Sequence, residues 1–246
     1  WAGTILLTLF PTFSHAQKWD DKVIISQCNE QYLMTFDHEK PIVKNTKKII
    51  YESNSAITVT PETAVFYGEY ITLDDVSGRG AKLYKNITPE NDDTKACIIR
   101  GYIDKKGETC KASFERTFKD PKYFCRVYLL ENYFVRNKTL TITIPKQLSN
   151  YRIKEMNFKG FGIESSHKTT SEGEVYSYTL HNTDRMKEDK MMPPASNVYP
   201  YLLIIGSFPD VNALYSWSKE MADVDCTIPD LKALLQEINA QSKTDE

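Results

Sequence analysis

Apolar and polar residues alternate along most of the chain, and this alternation predicts β-strands. Residues 139–144 read Thr-Leu-Thr-Ile-Thr-Ile, and residues 175–180 place Tyr176, Tyr178 and Leu180 on one face. A period of two gives a strand one buried and one solvent-facing side. Ten further segments are predicted as strands: 31–36, 47–52, 56–60, 64–73, 82–87, 96–103, 109–118, 124–130, 150–158 and 201–205.

Turn-forming residues separate these segments. The connecting stretches are rich in Gly, Pro, Asn, Asp and Ser, and they lie at 75–80, 89–93, 104–107, 120–121 and 171–173. No helical pattern intervenes before residue 208. A dozen short strands joined by turns predict a mainly β fold, either an antiparallel β-sandwich or related layered sheets.

Residues 185–200 interrupt the strand pattern with the sequence RMKEDKMMPPASNVYP. Three prolines exclude a central strand, because proline cannot donate to the hydrogen-bond ladder. We therefore predict an extended crossing, and its three methionines indicate that it packs across a sheet.

The period changes to 3.6 residues after residue 208, which predicts one or two short helices at the C-terminal end. In the first helix, one face is formed by Val211, Leu214, Tyr215 and Ser218. The second follows a capping-box-like start at Thr227. Its apolar face is formed by Leu231, Leu234, Leu235 and Ile238. This face must dock on the β domain or on a segment beyond residue 246.

The first twenty residues have the pattern of a secretory signal peptide. Residues 2–13 are almost entirely apolar but too few for the roughly 20 residues of a membrane-spanning helix. Ser14-His15-Ala16 is a small-x-small cleavage pattern, and polar residues follow it. The alternative is a buried N-terminal strand. We predict a signal peptide remnant at 1–16, a β-sandwich domain at 17–209 and a helical connector at 210–246. After cleavage near Ala16 the protein would be exported, either periplasmic or secreted.

Composition excludes several classes of protein. The 246 residues are 41% hydrophobic, too many for a disordered chain. The 31 basic residues nearly balance the 33 acidic ones, which gives no electrostatic basis for nucleic-acid binding. No apolar run is long enough for an integral membrane protein.

The five cysteines are Cys28, Cys97, Cys110, Cys125 and Cys226. In a plain hairpin around 104–107, Cys97 lies opposite Phe114 and Cys110 opposite Gly101. The resulting offset of about 13 Å exceeds the roughly 7 Å limit for a disulfide. The hairpin around 119–122 likewise separates Cys110 from Cys125. We predict that neither pair is bonded.

The sequence contains no recognisable catalytic or cofactor-binding constellation. The histidines His15, His38, His167 and His181 lack the spacing of a zinc site, so neither a metal nor a cofactor is predicted. Cys226 precedes a predicted helix, but Asp223 and Asp225 beside it would raise its thiol pKa.

Aromatic residues are dense between positions 123 and 134: Tyr123, Phe124, Tyr128, Tyr133 and Phe134. They could form a platform for sugar rings, or core and cross-strand pairs.

Several passages resemble the domain of unknown function that precedes the transglutaminase-like domain in exported bacterial proteins. Residues 191–200 are similar to its proline-centred signature, residues 201–205 to its last strand, and 210–221, with Trp217, to the following helix. Residues 107–114 and 140–145 are similar to its middle part.

The resemblance implies a non-catalytic accessory module that positions substrate or partner for a downstream transglutaminase-like domain of cysteine-peptidase type. In that family the connector leads into a Cys-His-Asp core, and no residue of this chain matches the nucleophile segment. Trp217, Leu231, Leu234, Leu235 and Ile238 would then contribute to domain docking. Two alternatives remain open: an independent module that binds cell-envelope peptide or glycan, and a hydrolase that uses Cys226.

Overall fold

The protein is represented by a computed structural model that describes residues 21–87, 94–187, 191–208, 210–222 and 236. Thirteen strands are present in this part: β1 Val23–Asp37, β2 Lys40–Ser53, β3 Glu62–Gly68, β4 Ile71–Arg79, β5 Ala81–Ile87, β6 Thr94–Gly101, β7 Thr109–Phe118, β8 Arg126–Tyr128, β9 Phe134–Pro145, β10 Arg152–Met156, β11 Glu164–Thr169, β12 Gly173–Thr183 and β13 Tyr201–Ile205. The α-helices are α1 Ala195–Val198 and α2 Val211–Ala222, and 3₁₀ turns span Pro121–Tyr123 and Lys146–Leu148. The predicted mainly β fold is confirmed.

The strands form one large sheet and two small ones. The large sheet has seven strands in the order β11-β12-β9-β1-β2-β7-β4. The small sheets have the orders β10-β13-β8 and β3-β6-β5. All neighbouring strands are antiparallel except β1 and β9, which run parallel. The predicted layered β architecture is therefore present, and its large sheet is mixed through this one parallel pair.

Both small sheets cover the same face of the large sheet. Tyr32 of β1, Leu140 of β9 and Leu202 of β13 belong to one hydrophobic core, which lies against β10-β13-β8. Cys28 of β1 and residues of the β3-β6-β5 sheet belong to a second core. The opposite face of the large sheet carries exposed polar residues on its central strands, as alternation requires.

Two predicted strands have accurate bounds, whereas the alternating segments 139–144 and 175–180 cover only the middle of β9 and β12. Residues 109–118 and 201–205 coincide with β7 and β13. The predicted strand 64–73 is divided between β3 and β4, and 56–60 forms only an isolated bridge between Val59 and Ile103.

Two predictions for connecting segments were wrong. Residues 75–80 were expected to form a turn, yet most of them belong to β4, an edge strand with a bulge between Leu73 and Asp75. Edge strands tolerate Gly and polar residues because only one side of the ladder is paired. The crossing at 185–200 contains the one-turn helix α1 instead of being extended throughout.

The hairpin expected between residues 96–103 and 109–118 does not form. Strand β6 pairs with β3 and β5 in a small sheet, whereas β7 pairs with β2 and β4 in the large one. Cys97 and Cys110 are free, buried thiols, and Cys125 is free and exposed. The prediction of unbonded cysteines is confirmed, but the separation comes from two sheets and not from hairpin register.

Described residues from Gly206 onward form a compact unit distinct from those up to Ile205. Its helix α2 confirms the first predicted helix. Asp210 accepts a hydrogen bond from the Ala213 backbone N–H at 2.8 Å, as an N-terminal cap does. The Trp217 ring packs against Phe208 with 5.5 Å between ring centroids. Among the described residues, no helix is long and apolar enough to cross a bilayer.

Candidate functional site

Charged residues occupy inward positions on three central strands of the large sheet. Glu30 lies between the buried Cys28 and Tyr32 in the alternation of β1. Lys47 has the same phase as Ile49 on β2, and Lys138 has the same phase as Leu140 on β9. Each charged position separates residues of one core from residues of the other. The boundary between the two cores is therefore polar.

Glu131, from the segment between β8 and β9, completes a group of four charges that we call the charge quartet: Glu30, Lys47, Glu131 and Lys138. The Lys47 ammonium lies 3.3 Å from Glu30 Oε2 and 2.6 Å from Glu131 Oε1. The Lys138 ammonium lies 3.1 Å and 2.5 Å from the same two oxygens. Each ammonium thus bridges both carboxylates, and the quartet is neutral.

Burial makes this neutrality important. The Lys138 side chain is 1% exposed and that of Glu30 is 5% exposed. Burial disfavours both carboxylate charges, but Lys47 and Lys138 outweigh it and hold the pKa of Glu30 and of Glu131 below the usual value. The two carboxylates likewise keep the pKa of both lysines above the usual value in spite of burial. All four groups are charged at neutral pH.

Two uncharged side chains adjoin the quartet. The Tyr32 hydroxyl donates a hydrogen bond to Glu30 Oε1 at 2.7 Å. The Cys28 thiol donates to Glu131 Oε1 at a distance of 3.8 Å between sulfur and oxygen. Burial raises the pKa of Cys28 to about 12. A thiol that stays protonated at neutral pH is a poor nucleophile, so the geometry does not favour covalent catalysis at Cys28.

The same region contains a possible set of metal ligands. The sulfur of Cys28 and carboxylate oxygens of Glu30 and Glu131 lie within 4.8 Å of one another. Lys47 and Lys138 already neutralise both carboxylates at contact distance, and a cation would have to displace these ammonium groups. The arrangement is that of an ion-pair cluster.

A cavity of about 230 Å³ adjoins the quartet on the side of the second core, and we call it the seam cavity. Its polar lining includes Lys47, Glu131 and Arg116, and its apolar lining includes Ile49 and Phe114. It therefore combines apolar walls with charges of both signs.

Of the candidate residues singled out from the sequence, Tyr133 lines the seam cavity. Trp217 is half-buried on α2. Three predicted groups are outside the described residues: the docking residues Leu231, Leu234, Leu235 and Ile238, the candidate nucleophile Cys226 with Asp223 and Asp225, and the signal segment 1–16.

The three histidines that the structure describes, His38, His167 and His181, lie on the surface, as expected. His167 pairs with Glu174 and stacks on Tyr176 at 4.3 Å between ring centroids. His181 Nδ1 lies 2.8 Å from Asn137 Oδ1.

The aromatic residues between 123 and 134 are largely core residues and cross-strand pairs. Phe124 and Phe134 are 2% and 3% exposed, so neither can stack on a sugar. The Tyr133 hydroxyl accepts a hydrogen bond from the Glu62 backbone N–H at 3.0 Å. Tyr123 stacks on Tyr70 at 4.4 Å. These contacts favour the packing interpretation at those positions, and glycan binding by the protein stays a prediction.

Sequence reasoning missed the charge quartet because its members are distant along the chain. A usable signal was nevertheless present. Glu30, Lys47 and Lys138 each fall in phase with inward apolar residues, whereas a solvent-facing charge would fall out of phase. Glu131 carries no such signal, because it lies outside a strand.

Comparison with known proteins defines the fold but not a family. No family model and no curated protein matches the sequence. A solved structure from Parabacteroides distasonis, described as a "putative protease", superposes with a TM-score of 0.58 at 10% identity, covering 83% of this chain. The chain spans 44% of that protein, less than half of its length. A "putative nutrient binding protein" from Legionella pneumophila superposes with a TM-score of 0.41 at 8% identity, covering 74% of this chain and 66% of its own.

Proposed function

We propose that this chain is a non-catalytic accessory module of an exported transglutaminase-like protein of cysteine-peptidase type, and that it positions substrate or partner for a downstream catalytic domain. One observation carries the proposal. The β fold matches 44% of a larger protein described as a protease, so in that protein a comparable fold accompanies a further part of the chain.

The chemistry of the charge quartet supports a binding role. Its ammonium and carboxylate groups neutralise each other, and the protonated Cys28 thiol beside them is not activated. A catalytic site requires a group whose pKa is matched to proton transfer or attack near neutral pH. The quartet instead keeps its charges fixed, as a rigid scaffold does.

The helical unit supports docking of another domain. On α2, Val211, Leu214 and Tyr215 are 62%, 40% and 68% exposed, although they form the apolar face predicted from the sequence. An exposed apolar helix face is typical of a surface that another domain covers. The apolar face predicted from the sequence at Leu231, Leu234, Leu235 and Ile238 is proposed as a second docking surface.

The proposal is tested on the full parent protein. The reading frame beyond Glu246 should encode a Cys, His and Asp core. Leu231→Glu combined with Leu235→Glu should lower peptidase or acyl-transfer activity, while Gln236→Glu, an exposed position on the same segment, should leave it unchanged. Equal activity in both variants would contradict the docking role.

Two further results would overturn the proposed function. The first is a stop codon directly after Glu246. The second is thiol-dependent activity of this chain alone that Cys226→Ala abolishes, because the chain would then be the enzyme.

A further inference from the structure

Arg116 has the phase of the buried residues of β7, and it lines both the seam cavity and a larger cleft that Asp74 and Glu115 also line. Its guanidinium lies near the rings of Phe114 and Phe118, at 5.7 Å and 5.1 Å from the ring centroids. Its Nε donates to Asn45 Oδ1 at 2.8 Å. Asn45 is fully buried, and its amide donates to the Gln31 carbonyl at 3.1 Å. The orientation of the guanidinium is therefore fixed from two sides.

The charge of Arg116 is not neutralised by the quartet, which is already neutral. Among the residues that the structure describes, no carboxylate oxygen lies within 4.0 Å of a guanidinium nitrogen of Arg116. Its two Nη groups also have no hydrogen-bond acceptor in that part of the chain. A half-buried guanidinium with unused donors favours binding of an anion.

The rest of the seam cavity restricts which anion fits. Its wall is preformed, because the hydroxyls of Tyr51 and Tyr133 are both hydrogen-bonded to β3 and their rings pack edge to face at 5.4 Å. The volume of about 230 Å³ is below the roughly 300–1,000 Å³ of pockets for drug-sized ligands. A group the size of one amino-acid residue is therefore the appropriate occupant.

Three carboxylates in the lining, those of Glu30, Glu62 and Glu131, restrict the charge of that group. Glu30 and Glu131 are paired with the lysines of the quartet, and Glu62 is paired with Arg100, which leaves Arg116 as the uncompensated charge of the lining. A dianion such as phosphate would nevertheless meet more repulsion from these carboxylates than a single carboxylate would. The planar fork of an arginine matches a carboxylate in two parallel hydrogen bonds. Apolar walls from Val65 and Phe114 suit the carbon atoms that carry it.

We propose that the seam cavity binds a carboxylate of a peptide through Arg116, either a free C-terminus or an Asp or Glu side chain. This inference rests on the proposed function, because it names the ligand of the positioning module: a peptide segment of the substrate or partner. It concerns binding by this chain alone, so it is tested without the downstream domain.

The test is a titration of the ¹⁵N-labelled chain, followed by NMR, with two pairs of peptides. One pair is acetyl-Leu-Leu as the free acid and as the amide; the other is acetyl-Leu-Glu-Leu-amide and acetyl-Leu-Gln-Leu-amide. We expect saturable shifts of cavity residues with the carboxylate member of at least one pair, and at least tenfold weaker binding of its neutral partner. The pair that responds distinguishes a C-terminus from an acidic side chain.

Variants assign the binding to the guanidinium. Arg116→Gln should weaken binding about tenfold or more, and Arg116→Lys, which keeps the charge but not the fork, should also weaken it. Arg126→Gln is the matched control, because Arg126 also lies near two aromatic rings but outside the cavity. If Arg116→Gln does not fold, Arg116→Lys decides the matter.

Three results would overturn the inference: no carboxylate peptide binds, neutral and charged peptides bind equally, or Arg116→Lys binds as the native chain does. If this chain binds a carboxylate but its parent lacks a downstream catalytic core, the inference stands and the proposed function is overturned. If the parent has an active core but the cavity binds no carboxylate, the proposed function stands and the inference is overturned.

Discussion

Lys138 is the most buried member of the charge quartet, and it lies between Glu30 and Glu131. Removing two opposite charges from water costs more than their attraction returns unless every charge is well paired. In the quartet each ammonium contacts both carboxylates, so loss of one lysine leaves two buried carboxylates that share a single partner. The quartet is therefore more sensitive to a single substitution than a surface ion pair.

We expect Lys138→Met to destabilise the fold by about 3–5 kcal/mol, since it leaves an uncompensated buried charge. Adding Glu30→Gln restores neutrality and should recover part of the loss. Urea unfolding measures both free energies. The control Arg136→Met removes an exposed pair with Glu52 and should cost less than about 1 kcal/mol. A Lys138→Met loss no greater than that of the control would refute the assigned role.

The quartet also predicts how stability depends on pH. Both carboxylates have a lowered pKa, so their contribution is complete above the unfolded value of about 4.3 and is lost as pH falls through the folded pKa. Both lysines have a raised pKa, so their contribution is complete below about 10.4 and is lost as pH rises through the folded pKa. Lys138→Met should therefore cost most at intermediate pH and progressively less in acid. An equal cost at all pH values would contradict this.

Elements with a strong period-two signal were predictable, and elements defined by their partners were not. Strand β13 has an apolar sequence and was predicted to the residue. Strand β11 is exposed at every position and was missed, because an edge strand with no buried face shows no alternation. The assignment of β6 to a small sheet depends on packing between layers, which no local pattern contains.

The layers come into close contact at the end of β6, beside β7. A Cβ placed on Gly101 at the end of β6 would overlap with the Cys110 sulfur of β7 and would lie 3.1 Å from Pro61 Cγ. We expect Gly101→Ala to destabilise the fold by about 1–3 kcal/mol through overpacking. Combining it with Cys110→Ala removes the overlapping sulfur, so the double variant should be more stable than Gly101→Ala alone. Strictly additive losses in urea unfolding would show that the two residues do not set the spacing.

The described residues up to Ile205 form two hydrophobic cores on one continuous sheet, with the charge quartet between them. The composition predicted a folded chain, and the alternation predicted its β class and most of its strands. The position of the boundary could not be predicted, because it depends on where two separate small sheets end on a shared face. The candidate site was missed for the same reason, since Glu30, Lys47, Glu131 and Lys138 come together only in the tertiary structure.

The division into two units predicts how far the chain can be shortened. Every residue of both cores lies before Gly206, and β13 is the central strand of its small sheet. A chain ending at Ile205 should therefore unfold cooperatively, with a free energy of unfolding within about 1 kcal/mol of the full chain. A chain ending at Tyr199 lacks β13 and should lose its cooperative transition, because β8 and β10 would have no common partner. Urea unfolding followed by far-UV circular dichroism compares the three chains. If the chain ending at Ile205 proved as unstable as the one ending at Tyr199, the β unit would depend on residues beyond its own cores.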